Sequence, residues 1–250
     1  MKLARTMDDN SLSRRVTAFC SILVGILYCI VGLTHFLMPR ENLLLATGVS
    51  RAFFESLASG SAAFSIHYWA FIVASLLAIG VVSGLSELIG SPKAVLVKLS
   101  AAWGVVGFSV TALNFAFMHH QAMALAGRFN GLEPSVQTGV LVTGLHNVDP
   151  YSLMSFGLVG AWSLTVNSLG YRWGRLPKAL ALIGCVGGAL YEMVFLGTVM
   201  GSEVLIDIAA AGAMVLGPVW FIWLGLFLVR RRSGVAGGTA EQAAGADVAC

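Results

Sequence analysis

Three acidic residues near the C-terminus lie within or at the edge of long apolar segments. Glu192 is inside one such segment, and Glu203 and Asp207 open the next. Residues four apart share one face of a helix, so Glu203 and Asp207 are expected on the same side. A carboxylate inside a bilayer is costly unless it is protonated, paired or turned inward, which makes Glu192 a functional candidate. Glu192 and Asp207 could serve as the acid and base of a membrane-embedded enzyme.

The chain also has five histidines, and all of them fall near the ends of apolar segments that face the same side of a membrane. Imidazole binds divalent metals and exchanges protons near neutral pH. A divalent metal is therefore a possible cofactor. The candidate ligands are His35, His67, His119 and His120. The sequence contains no HExxH motif and no CxxC pair, so this prediction depends on position alone.

Neutral hydrogen-bonding groups accompany the charged ones. No Lys or Arg is available in the outer half of any apolar segment, so His35 or another of the outer histidines is the expected partner of Glu192, with Tyr28 and Asn114 as neutral alternatives. The predicted ligand-binding set is His35, Tyr28, Asn114, Glu203 and His146. Structural roles compete with these functions: Glu203 is also a first-turn acid, and His119 and His120 at a helix C-terminus also interact favourably with the helix dipole.

The elements that position these residues follow from composition. The chain is 57% hydrophobic and 11% charged, with a mean hydropathy of +0.83. Soluble domains carry about 25% charged residues, so an ordinary soluble domain is excluded, and the apolar content excludes disorder. Unbroken apolar runs without polar alternation favour helices as the spanning elements. The predicted fold is an all-α polytopic transmembrane bundle.

Six segments reach the length of about 20 apolar residues that a helix needs to cross a bilayer. They cover residues 16–37, 69–89, 95–118, 151–169, 179–199 and 204–229. We expect them to form one domain over residues 1–232. Residues 233–250 are of low complexity and are predicted to be a disordered cytoplasmic tail.

The basic residues predict the orientation of the bundle. Lys and Arg in short loops stay on the cytoplasmic side. Twelve of the fifteen basic residues fall on one side of the six-segment topology, which leaves Arg40, Arg51 and Arg128 on the other. This distribution predicts that both termini lie in the cytoplasm.

Small residues recur at four-residue spacing along the apolar segments, as in the pairs Gly80 and Gly84, and Gly184 and Gly188. Such seams let helices approach closely, within one bundle or toward a homo-oligomer or partner helix. The expected partners are the lipid bilayer and a small ligand, ion or lipid. No nucleic-acid motif is present, so no nucleic-acid partner is expected.

The two longest loops, residues 39–66 and 119–150, lie on the side of the histidines. Long loops often carry binding functions. Within the first loop, the pattern of Arg51, Phe53, Phe54 and Leu57 predicts a short amphipathic helix on the outer membrane interface.

Two loose motifs mark the C-terminal part of the chain. Arg175–Pro177, an Arg-Leu-Pro segment, precedes a Gly-rich span, and Gly217–Trp220, a Gly-Pro-Val-Trp segment, lies near the end of the last span. From Trp162 onward the chain resembles a family of uncharacterised bacterial six-span membrane proteins. The resemblance implies six helices and a plasma-membrane location, and it implies no established activity.

Three functional hypotheses remain open at this point. The first is an outward-facing polar cavity of His, Asp and Glu side chains that binds a small ligand or ion, for transport or sensing. The second is a membrane enzyme that acts on a lipid or isoprenoid substrate through Glu192 and Asp207. The third is an accessory subunit of a membrane complex. A cavity predicts that Glu192, Asp207, His35 and another histidine converge.

Overall fold

The computed structural model describes residues 2–43, 49–60, 62–89 and 95–231, with side chains from Leu12 onward. The predicted disordered tail, 233–250, lies outside the described residues. Within the described ranges the chain is all-helical, with eight α-helices and no strand. The helices are α1 Lys2–Leu37, α2 Arg51–Ala58, α3 Ala62–Ile89, α4 Val95–Ala126, α5 Pro134–Thr143, α6 Leu158–Arg172, α7 Lys178–Met200 and α8 Glu203–Arg230.

Five of these helices are long and apolar enough to cross a membrane: α1 from Leu12 onward, α3, α4, α7 and α8. They coincide with five of the six predicted apolar segments. Three of them extend several residues further than predicted, since α1 begins at Lys2, α3 begins at Ala62 and α4 continues to Ala126. A helix does not have to end where hydropathy falls, because its backbone bonds propagate into water. His67 therefore lies inside α3, and His119 and His120 lie inside α4.

The fourth predicted segment, 151–169, has a different local structure. Helical structure begins with a π-helical turn, Leu153–Gly157, followed by the 15-residue α6. The carboxylate of Asp149 accepts hydrogen bonds from the backbone N–H and the hydroxyl of Ser155, at 2.7 and 2.8 Å. Ser152 takes a left-handed conformation, with φ of 58°. Asp149 thus caps the start of this segment through Ser155.

The six long helices form a closed ring. Each packs on the next in the order α1, α3, α4, α6, α7 and α8, and α8 returns to pack on α1. Small residues mediate the close approaches: a Cβ at Gly84 would overlap Thr17 of α1, and a Cβ at Gly188 would lie 2.9 Å from the backbone nitrogen of Leu164 in α6. The glycine seams are therefore occupied by contacts within the bundle.

The short helix predicted in the first loop is present as α2. Its apolar face, Phe53, Phe54 and Leu57, is buried, and Phe54 stacks on Phe129 with ring centroids 4.3 Å apart. This face therefore packs on the protein, where the sequence had suggested the membrane interface. Arg51 donates a 2.6 Å hydrogen bond to Gln137 of α5, which joins the two loop helices at one end of the ring.

Candidate ligand cavity

A cavity of about 310 Å³ lies within the ring, at the end where α1 and α7 finish and α8 begins. One face of α1 lines it through Tyr28, Val31 and His35, and Met38 directly after the helix adds to this wall. Tyr28 and His35 are seven residues apart, which is about 10 Å along the axis. The other walls come from α3, α4, α7, α8 and the turns before α6. The cavity thus exists because the ring leaves space between helices that do not meet at its centre.

Six aromatic side chains contribute to the wall of the cavity. Phe71 and Phe115 stack with ring centroids 4.4 Å apart and an interplanar angle of 9°, and Tyr28 meets Phe71 edge-on at 5.9 Å. The six aromatic side chains are Tyr28, Tyr68, Phe71, Phe115, Phe156 and Tyr191. Such rings present a rigid apolar surface with a few hydroxyl groups at its edges.

The hydrogen bonds of His67 indicate which of its ring nitrogens carries the hydrogen. Its Nδ1 lies 3.1 Å from the carbonyl oxygen of Val31 and 3.0 Å from the hydroxyl of Thr34. A carbonyl oxygen can only accept, so in the neutral ring Nδ1 carries the hydrogen and donates it. Nε2 then retains its lone pair, and the ring lines the cavity. His67 offers a ligand a hydrogen-bond acceptor.

Other polar groups line the same cavity. The ring of His35 lies 6.2 Å from that of His67, centroid to centroid, and Tyr28 and Tyr191 also line the cavity. The Oδ1 atom of Asn114 accepts a 3.0 Å bond from the backbone N–H of Val148. Asn114 therefore holds the loop that precedes α6 against α4, and its Nδ2 contacts the sulfur of Met118, at 3.7 Å.

Asn42 is a residue of the cavity wall whose side-chain amide is buried and makes no hydrogen bond within the described part of the chain. Its side chain is 1% exposed, and neither its Nδ2 nor its Oδ1 has a hydrogen-bond partner within the described part of the chain. Leaving a buried polar group unpaired costs about 1–3 kcal/mol. A ligand that hydrogen-bonds to this amide would recover that cost. Sequence reasoning missed Asn42 because it follows Pro, Arg and Glu in a segment that reads as a surface loop.

The family model described as a domain of unknown function (DUF4386) matches residues 16–231. The chain belongs to the DUF4386 family. The matched range begins in α1 and ends just after α8, so the DUF4386 domain comprises the whole ring and its cavity. Neither the comparison with curated proteins nor the comparison with solved structures found a match.

None of the acidic residues in the described part of this DUF4386 protein lines the cavity. Glu192 turns toward α6, where a Cβ at Gly160 would lie 2.9 Å from its Oε1, and Glu203 and Asp207 are exposed. The expected convergence with His35 is therefore not found. Successive helical residues point about 100° apart. Tyr191 faces the cavity, so its neighbour Glu192 faces away from it.

The histidines of the DUF4386 domain are similarly divided. His35 and His67 line the cavity, whereas His119 packs on Phe64 and contacts the hydroxyl of Ser65 at 3.2 Å. His120 and His146 are exposed. Among the described residues, no three His, Cys, Asp or Glu side chains could together hold a metal ion. The four proposed metal ligands, His35, His67, His119 and His120, thus do not form one site, because they lie on different faces of three helices.

Proposed function

We propose that this DUF4386 protein is a six-span plasma-membrane protein with both termini cytoplasmic, and that it binds a small uncharged ligand in its cavity. The ligand would enter from the outer side, for transport or sensing. The observation that carries this proposal is the cavity itself, which is lined from five of the long helices and contains aromatic and neutral polar groups.

The position of α6 supports a sixth span. The π-helical turn and α6 run without a break from Leu153 to Arg172, which is close to the length of about 20 residues that a span requires. Trp162 and Val166 of α6 are buried in the main apolar core. Without α6 the ring would be open between α4 and α7. The twelve basic residues on one side support the orientation.

The lining indicates the chemical class of the ligand. Among the residues that the structure describes, no Asp, Glu, Lys or Arg lines the cavity, and an ion buried without a partner of opposite charge is strongly disfavoured. A neutral molecule with an apolar body therefore fits better than a metal ion. At ordinary packing density, 310 Å³ holds on the order of a dozen non-hydrogen atoms. Its apolar part would meet Phe71 and Phe115.

The polar end of the ligand would lie toward the outer end of the cavity. His67 contacts α1 at Val31 and Thr34, and Phe71 follows it by one helical turn into the bundle. Asn42 follows the end of α1. A hydroxyl or amide group could donate to His67 Nε2 and also pair with the unsatisfied amide of Asn42.

Native mass spectrometry of the purified protein tests ligand retention. Ala213 lines the cavity, and Ala211 on the same helix is exposed and does not line it. Wild-type protein should retain a small neutral molecule, Ala213→Phe should lose it because the added ring fills the cavity, and Ala211→Phe should keep it. Equal retention by both variants would place the bound molecule outside the cavity.

Cysteine labelling tests the cavity without knowledge of the ligand. In a background with the four native cysteines replaced by alanine, Ala213→Cys should react with N-ethylmaleimide, a small neutral reagent. The control Ala74→Cys should not react, because Ala74 is fully buried and does not line the cavity. A negatively charged methanethiosulfonate should label Ala213→Cys at least about tenfold more slowly than a neutral methanethiosulfonate does, in line with the cost of burying a charge. Equal labelling by the charged and the neutral methanethiosulfonate would contradict a cavity selective for neutral molecules.

A further inference from the structure

A second candidate site lies at the opposite end of the ring from the cavity. It is a groove between the Gly174–Pro177 loop and the C-terminal end of α8, with a volume of about 730 Å³. An adjoining depression shares Gly174, Arg175 and Arg231 with it and adds Trp173 and Ile89. We call the two together the basic groove. It shares no residue with the ligand cavity.

Three arginines surround the basic groove: Arg175, Arg230 and Arg231. Within the ranges described above, no Asp or Glu lines either of its two parts. Glu87 borders a separate depression beside Arg231, and its carboxylate accepts a 2.6 Å hydrogen bond from Ser13. The arginines of the groove therefore present positive charge that no carboxylate in its lining neutralises, and this charge favours an anionic partner.

The guanidinium of Arg231 is held in place by the protein. It donates to the carbonyl oxygen of Arg175 at 3.3 Å and lies 5.8 Å from the ring centroid of Phe227. A guanidinium has five N–H donors, so most of them remain available. Because the side chain is already restrained, it loses less conformational entropy when it binds a phosphate.

The rest of the groove is apolar. Trp223 and Leu226 line it and are 38% and 43% exposed. Trp223 precedes Arg230 by seven residues, which is about 10 Å along the helix. The groove thus combines a cationic end with an apolar strip that leads toward the middle of α8. An anionic phospholipid has the same arrangement, a phosphate above an acyl chain, whereas free phosphate has no group for the apolar strip.

We propose that the basic groove binds an anionic phospholipid, with its phosphate between Arg175, Arg230 and Arg231 and an acyl chain along Trp223 and Leu226. Exposed aromatic rings at Tyr171 and Trp173 suit the headgroup level of a bilayer at this end of the bundle. The proposal is independent of the ligand cavity, because the two sites lie at opposite ends of the helices.

The test uses the full chain in detergent with equal amounts of phosphatidylglycerol and phosphatidylcholine, and native mass spectrometry counts each bound lipid. The double variant Arg175→Gln, Arg230→Gln removes two charges from the groove. The matched control Arg172→Gln, Lys178→Gln removes two charges from exposed positions nearby that do not line it. Wild type should prefer phosphatidylglycerol, the groove variant should lose about tenfold or more of that preference, and the control should stay within about twofold of wild type.

Three outcomes would overturn the proposal. Absence of a preference for phosphatidylglycerol in the wild type would exclude a specific anionic site. An equal loss in both double variants would show general attraction to a basic surface. Thermal stabilisation by inorganic phosphate as large as that by phosphatidylglycerol would show an anion site without an acyl chain.

Circular dichroism of each variant verifies that the helices are intact. Trp223→Ala provides a second variant that should weaken lipid binding and leave the arginines in place.

Discussion

Two adjacent glycines in α7 provide a sharp test of the ring. A Cβ at Gly188 would lie 2.9 Å from the backbone nitrogen of Leu164 and 3.1 Å from the carbonyl oxygen of Gly160, both in α6. A Cβ at Gly187 would have nothing within 4 Å. The change Gly188→Ala therefore forces two helix backbones apart, whereas Gly187→Ala adds a methyl group in open space.

The expected difference in free energy of unfolding follows from comparing the two variants. Alanine is favoured over glycine in a helix by about 1 kcal/mol, and this gain applies to both positions. Ordinary non-bonded contacts between carbon atoms lie at about 3.5–4.0 Å, so the α6 backbone near Gly188 has to move by about 0.5 Å or more. Overpacking of this kind costs about 1–3 kcal/mol. Gly188→Ala should therefore be about 1–3 kcal/mol less stable than Gly187→Ala.

Reversible unfolding in mixed micelles measures this difference. Both variants are titrated with sodium dodecyl sulfate, and loss of helix is followed by circular dichroism to obtain each free energy of unfolding. Gly187→Ala should equal or exceed wild type in stability. If Gly188→Ala were as stable as Gly187→Ala, α6 and α7 would not be in backbone contact here, and the ring closed through α6 would be refuted.

Three further predictions concern polar contacts. Asn167→Leu should lower the free energy of unfolding by about 1–3 kcal/mol, measured in the same titration, because Oδ1 of Asn167 accepts the 3.1 Å hydrogen bond of the Trp220 indole. Asp149→Ala should speed hydrogen exchange of the backbone amides over residues 153–157, because it removes both hydrogen bonds to Ser155. Gln137→Leu should speed proteolysis in the loop before α5, because Gln137 donates to the carbonyl oxygens at residues 129 and 132, each at 3.0 Å.

Each of these changes has a neighbouring control. Ser168→Ala alters an exposed contact with Cys185 and should leave stability within about 0.5 kcal/mol of wild type. Thr138→Ala removes an exposed hydrogen bond within α5 and should not alter proteolysis. Asp149→Asn retains one amide oxygen as an acceptor, so exchange over residues 153–157 should lie between wild type and Asp149→Ala. Equal effects from a test change and its control would contradict the contact that is assigned to the test residue.

Hydropathy located the long helices well and their ends less well. Each of the five long helices covers its predicted apolar segment, and α7 and α8 agree with it to within one residue at both ends. In contrast, α4 continues past residue 118 to Ala126. Hydropathy reports where the chain leaves an apolar environment, whereas a helix ends where its backbone bonds are interrupted. The segment before α6 departs from prediction for a related reason, since the Asp149 cap and the left-handed Ser152 delay helix formation to Leu153.

The candidate site was predicted in part. Tyr28, His35 and His67 do line one cavity, and the sequence had placed them near one end of the bundle. Asn114 lines it too, although its amide is used by the loop at Val148. Glu192 does not line the cavity. The position of a residue in a span predicts its depth in the membrane, but it does not predict the direction in which the side chain points.

Hydropathy along the chain predicts a bundle of apolar helices and how far along each helix its polar groups lie. Which of those groups meet depends on how the helices pack. The rotation of each helix about its axis is set by backbone contacts such as that of Gly188 with α6, and a rotation of one residue, about 100°, exchanges Tyr191 for Glu192 in the cavity wall. Asn42 joins that wall from a turn after α1, where no helical periodicity could have predicted its direction.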